Sequence, residues 1–139
     1  MEHFPEFVIN HPFLFGGAAL ALTFTLVAEF RARRGPKPLS TGEAVLLMNH
    51  QNAVVLDVRE ANEYSAGHIL NAINVPFSAL KERMPQLDKY KDKPIIVCCK
   101  GGTQGLTAAA QLKDAGFTQA RYLKNGVFAW TTDNLPLEK

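Results

Sequence analysis

The sequence predicts an α/β layer fold, with a central, mostly parallel sheet flanked by helices and preceded by one transmembrane helix. Short apolar runs suited to strands buried on both faces, Ala53-Val54-Val55-Leu56 and Pro94-Ile95-Ile96-Val97-Cys98, alternate with segments of helical pattern. That alternation belongs to parallel sheets built with crossover helices. Apolar residues make up an ordinary 47% of the chain, yet Phe7 to Ala28 contains no Asp, Glu, Lys or Arg. The 139 residues suffice for one domain and a short appendage.

The elements follow in chain order. A helix over Pro12–Ala28 would be about 25 Å long, and extending it to Phe7 or Phe30 reaches the roughly 30 Å of a bilayer core. The acidic Glu2 and Glu6 precede this run and Arg31-Ala32-Arg33-Arg34 follows it, the reverse of the charge order in a cleavable signal peptide. A buried soluble helix would show a polar face, and the middle of this segment has none. Residues 1–30 are therefore read as an N-terminal segment with a single span at about 12–30. Residues 31–38 are read as a basic, proline-containing linker, and 39–139 as the folded domain. Basic residues after the span predict a cytoplasmic C-terminal domain and an external N-terminus at a cell inner membrane, with the arginines near anionic headgroups of the lipid bilayer.

Ser40-Thr41-Gly42-Glu43 has capping-box spacing ahead of Ala44, Leu47 and Met48, so a helix starts there. Ala53–Leu56 is a strand, and Ile73-Asn74-Val75 is a weaker one stopped by Pro76. Ser78 to Leu87 reads as a helix disturbed at its end by Pro85. Pro94–Cys98 is the clearest strand. After the Gly101-Gly102 turn, Gln104 to Ala115 is a helix closed by Gly116. Arg121-Tyr122-Leu123 forms a last strand and Val127 to Thr132 a last helix.

Charge and cysteine usage narrow the function. The net charge is +2, and residues 39–139 carry eleven basic and ten acidic side chains, so no nucleic-acid partner is expected. The two cysteines, Cys98 and Cys99, are adjacent. Neighbours on a strand point to opposite faces, which rules against an ordinary structural disulfide and a disulfide-stapled fold. Two cysteines without a spacer and four scattered histidines do not match a zinc site. No Walker loop, dinucleotide fingerprint or metal motif is present, so no metal or cofactor is expected.

Cys99 ends a buried strand, where α/β folds place their sites. The loop Lys100-Gly101-Gly102-Thr103-Gln104 then turns into a helix N-terminus. Glycines there allow backbone N–H groups to converge, and the helix dipole together with Lys100 favours a thiolate over a thiol. Such a thiolate can attack sulfur electrophiles and hold a persulfide. Spacing alone is equally compatible with a buried, inert cysteine.

Val55-Leu56-Asp57-Val58-Arg59, followed by Glu63-Tyr64, Gly67-His68-Ile69, Ala72, Asn74 and Pro76, resembles the front half of a single-domain rhodanese. Ile95 to Cys99, Ala115-Gly116-Phe117, Leu123 to Gly126 and Ala129-Trp130 resemble the rear half. The resemblance covers roughly residues 39–135, and with the anchor it extends to membrane-bound rhodanese-like proteins of bacteria. It implies sulfane-sulfur transfer through a persulfide on Cys99, fed by a small sulfur donor or a protein persulfide. It also implies that Asp57 and Arg59 order the active-site face, that His68 packs and hydrogen-bonds in a loop, and that Trp130 is core. A typical active loop carries arginine where Lys100 and Gln104 stand. Lysine lacks the bidentate fork that grips an oxyanion, so thiosulfate should bind weakly and a protein persulfide is the more natural donor. The related phosphatase-type loop needs arginine where Gly105 stands. The alternative function is a catalytically weak binding module that docks partner proteins, a membrane protein among them, at the cytoplasmic face of the membrane.

Overall fold

Past Pro12 the N-terminal segment contains no helix breaker stronger than glycine, and it folds accordingly. The computed structural model describes residues 3–101 and 103–139, in two compact units that divide after Gly35. The first unit holds α1 (Phe4–Asn10) and α2 (Pro12–Arg34). Pro12 opens α2, where a missing N–H costs no helical bond. Phe4 and Phe7 meet the Phe15 ring edge-on at 6.4 and 5.9 Å. The 23 residues of α2 span about 34 Å. It is the one described helix long and apolar enough to cross a membrane. The Thr23 and Thr25 hydroxyls donate back to the Ala19 and Leu22 carbonyls, so neither leaves an unpaired donor on an apolar surface. Arg31, Arg33 and Arg34 lie in the last turn, where positive charge suits the helix dipole. The basic cluster expected in a linker is thus helical.

The second unit is built on five parallel strands in the order β1-β5-β4-β2-β3. These are β1 (Pro38–Leu39), β2 (Val54–Asp57), β3 (Ile73–Asn74), β4 (Ile95–Cys98) and β5 (Ala120–Leu123). The sequence reading misses β1 and takes Pro38 for linker. Leu39 is fully buried, and its carbonyl accepts from the Lys124 N–H at 2.8 Å, so the chain joins the sheet edge at once.

Helices cover both faces of the sheet. The Ser40 hydroxyl caps α3 (Thr41–His50) by accepting from the Glu43 N–H at 3.2 Å. After β2 comes α4 (Ala61–Ala66), and after β4 comes α6 (Thr103–Asp114), which ends at Gly116 with φ +101°. The helix expected over residues 78–87 is fragmented. A 3₁₀ turn at Phe77–Ala79, the single turn α5 (Leu80–Arg83) and a 3₁₀ run at Met84–Tyr90 replace it. Pro85 lacks an N–H and its ring crowds the preceding turn, so a continuous α-helix cannot pass.

Strand alternation divides the core in two. Leu56, Val97, Cys99, Leu112 and Phe117 pack on one face, and Leu39, Val55, Ile96, Cys98 and Trp130 on the other. Adjacent Cys98 and Cys99 therefore serve opposite cores. Trp130 lies on α7 (Gly126–Thr132), and its indole N–H donates to the Pro136 carbonyl at 3.0 Å. The chain then returns to His68, which exchanges two 2.8 Å backbone hydrogen bonds with Glu138 in an antiparallel bridge.

Candidate active site

Cys99 is the first residue beyond β4, at the carboxyl end of the central strand, and is 2% exposed. Its carbonyl accepts from the Val127 N–H at 2.8 Å, and that of Lys100 from the Phe128 N–H at 3.2 Å. The first turn of α7 thus backs the loop. Contact this close needs glycine at 126. Gly126 has φ +55°, and a Cβ there would stand 2.0 Å from the Cys99 oxygen. Gly105 closes the other side, since a Cβ on it would lie 3.5 Å from Cys99 Sγ. Gly105 thus stands where a phosphatase-type loop needs arginine, and a side chain there would begin in contact with the sulfur.

Cys99 lines a cleft of about 340 Å³. Cys99, Lys100, Gly101, Thr103 and Gln104 contribute from the loop and the start of α6, and Arg59, Glu60 and Glu63 from the β2–α4 connection and α4. Gly102, expected in this loop, lies outside the described residues. Lys100 is 85% exposed, with its Nζ 4.0 Å from Glu63 Oε1.

Behind the cleft is a buried ion pair. Arg59 donates from Nε to Asp57 Oδ1 at 3.0 Å and from Nη2 to Asp57 Oδ2 at 2.7 Å. Nη2 also donates to the Gly67 carbonyl at 2.7 Å, and Asn74 Nδ2 donates to the carbonyls of Asp57 and Arg59. Burial works against the guanidinium charge, but the hydrogen bonds and attraction from Asp57 outweigh it, and the pKa of Arg59 is raised. Arg59 is thus held as a wall of the cleft with its charge already matched.

Of the residues expected to support the site, Arg59 reaches the cleft, Asp57 stands behind it, and His68 is not among the lining residues. The His68 ring stacks on Tyr64 at 3.9 Å, with Nδ1 3.0 Å from the Tyr64 carbonyl and Nε2 3.3 Å from Glu138 Oε1. It packs α4 against the C-terminal segment. Cys98 is fully buried on the opposite face, and burial, reinforced by the charge of Asp57, pushes its thiol well above the ordinary range. Sequence reasoning misses Glu60 and Glu63 as site residues. Glu63 is noticed only within the Glu63-Tyr64 pair, and nothing local indicates that it reaches Lys100.

Comparison with known proteins agrees with this geometry. Over nearly its whole length the chain is similar to the uncharacterized protein YibN of Escherichia coli (strain K12), at 38% identity over 139 residues, covering 99% of this chain and 97% of YibN. The crystal structure of a rhodanese-related protein from Thermoplasma volcanium superposes with a TM-score of 0.67 at 27% identity, covering 73% of this chain and 97% of that one. A thiosulfate sulfurtransferase from Pseudomonas aeruginosa superposes at 0.66 with 32% identity, over 77% of this chain but 21% of that larger protein. Residues 40–133 match the rhodanese-like domain, and the chain belongs to that family.

Proposed function

We propose that this chain is a membrane-tethered sulfurtransferase that carries sulfane sulfur as a persulfide on Cys99. The observation that carries the reading is the position of Cys99, which stands at the carboxyl end of the central strand and lines a cleft beside the start of α6. Kinship to a thiosulfate sulfurtransferase supports the same chemistry. The Cys99 thiolate attacks the outer sulfur of a donor persulfide, the donor S–S bond breaks, and the donor leaves as a thiolate. An acceptor nucleophile then takes the outer sulfur and regenerates the Cys99 thiolate. Nothing is oxidised or reduced overall, so the cycle needs no redox cofactor. A protein persulfide suits the site better than thiosulfate, because neither Lys100 nor Gln104 supplies a guanidinium fork.

The length and apolar surface of α2 support a single-pass anchor, and Arg31, Arg33 and Arg34 in its last turn support a cytoplasmic domain with the N-terminus outside the inner membrane. The absence of arginine at positions 100 and 104 favours a second reading, a rhodanese fold that docks partner proteins at the membrane with little turnover. Thiocyanate formation from a persulfide donor and cyanide, measured on the full chain in lipid vesicles, separates the two. The sulfurtransferase reading expects turnover that Cys99→Ser abolishes and Cys98→Ser retains. No turnover above buffer, or equal turnover in Cys99→Ser, would leave the docking reading in place.

A further inference from the structure

The cleft holds two cations and two carboxylates, and their pairing leaves no positive charge for an anionic donor. Arg59 is matched by Asp57, its Nε and Nη2 donating to both carboxylate oxygens, and Lys100 is the remaining cation on the lining. Its Nζ lies 4.0 Å from Glu63 Oε1, and Glu60 adds a further carboxylate. With Asp57 offsetting Arg59 and Glu63 offsetting Lys100, Glu60 makes the cleft one unit negative. A thiosulfate dianion approaching Cys99 therefore meets a like-charged rim. A persulfide whose outer sulfur is protonated carries no charge and meets no such barrier.

We propose that Glu63 is a specificity-determining residue that occupies Lys100 and so reserves Cys99 for uncharged persulfide donors over dianionic ones. This rests on the sulfurtransferase reading above. In the favoured reaction the Cys99 thiolate bonds to the terminal sulfur of R–S–SH. The donor S–S bond breaks, giving Cys99–S–SH and R–S⁻, and a single negative charge moves from Cys99 to the leaving thiolate. The thiosulfate reaction instead brings three negative charges together, to end as a Cys99 persulfide anion and sulfite. Glu63 acts on the difference between these two encounters rather than on the sulfur chemistry they share.

The test uses the full chain in neutral detergent micelles at one fixed pH and follows Cys99 persulfidation by intact mass with two probes, thiosulfate and the persulfide of N-acetylcysteamine, whose only ionisable group is its outer sulfur and which reacts in its protonated, uncharged form. The quantity read is the ratio of the two second-order rate constants. For a donor charge about 4 Å from the freed Lys100 ammonium, water-like surroundings give about a factor of five per unit of charge on the donor; a dianion doubles the exponent, and screening brings the effect to about tenfold. Glu63→Gln should therefore raise the thiosulfate-to-persulfide ratio about tenfold. Added salt should shrink that gain, and adding Lys100→Gln to Glu63→Gln should cancel it. A ratio that stays within twofold while both probes modify Cys99 would overturn the role of Glu63 and leave sulfur transfer standing. A gain that survives high salt would not be electrostatic, and one that survives the loss of Lys100 would not run through Lys100, so either result would also overturn it. If neither probe modifies Cys99 in any variant, the sulfurtransferase reading fails and this inference fails with it.

Discussion

Gly126→Ala is the most demanding substitution the structure defines. Its Cβ would lie 2.0 Å from the Cys99 oxygen, 2.8 Å from the Cys99 carbonyl carbon and 3.0 Å from that of Lys100. All three are backbone atoms, so no side chain can turn aside to make room. The backbone at 126 is also left-handed, at φ +55°, which costs a residue with a Cβ about 1–2 kcal/mol. Relieving the overlap means drawing α7 off the loop, which breaks the 2.8 Å bond from Val127 N–H to the Cys99 carbonyl. A buried group left unpaired costs about 1–3 kcal/mol. Together these give a loss of about 2–5 kcal/mol. Trp130 is the only tryptophan and is buried on α7, so its fluorescence reports the unfolding directly. Urea denaturation of the full chain in micelles should show the midpoint falling by about 1–2 M or more, for a slope of roughly 1–3 kcal/mol per molar. Gly42→Ala is the matched control. Nothing lies within 4 Å of a Cβ there and the position is helical, so alanine should stabilise by up to about 1 kcal/mol. A Gly126→Ala midpoint equal to that of the unsubstituted chain would refute the claim that α7 locks the carboxyl end of β4.

Other perturbations test separate parts of the account. Asp57→Ala leaves Arg59 buried and unmatched, and equilibrium unfolding should register a loss of about 3–5 kcal/mol; a loss under 1 kcal/mol would mean that the pair does not order the cleft wall. The raised pKa of Cys98 gives alkaline sensitivity with a definite sign. The unfolded thiol ionises near its ordinary value of 9.0 while the folded one stays neutral, so stability is intact below pH 9 and declines above it. The slope should approach about 1.4 kcal/mol per pH unit, and Cys98→Ala should remove this contribution in urea titrations at pH 9 to 10.5. In the native state iodoacetamide should label Cys99 and spare Cys98, read by peptide mapping. Labelling of Cys98 first would contradict the assignment of the two thiols to opposite faces.

Features written into neighbouring residues were legible in the sequence. Ser40 and Glu43 announce the start of α3, and the adjacency of Cys98 and Cys99 by itself places them on opposite faces of a strand. The buried runs at Val54 and Ile95 became the central pair of a parallel sheet. What escaped notice depends on distant partners. Pro38 looks like linker and Leu39 like the plain start of the domain, because two residues show no periodicity, and their strand exists only through β5. The segment after Pro76 carries helical composition, yet Pro85 splits it into short turns. Glu63 and Lys100 are far apart in the chain, and only the fold turns one into the electrostatic partner of the other. Gly126 gave no hint of its role, because a close approach between backbones leaves no trace in side-chain pattern.

The central claim is that Cys99 carries the sulfur, and intact mass spectrometry of the full chain after exposure to a persulfide donor tests it most directly. The account predicts a gain equal to one sulfur atom, removed by cyanide, lost in Cys99→Ser and kept in Cys98→Ser. A gain that persists in Cys99→Ser, or no gain with either thiosulfate or a persulfide, would contradict it.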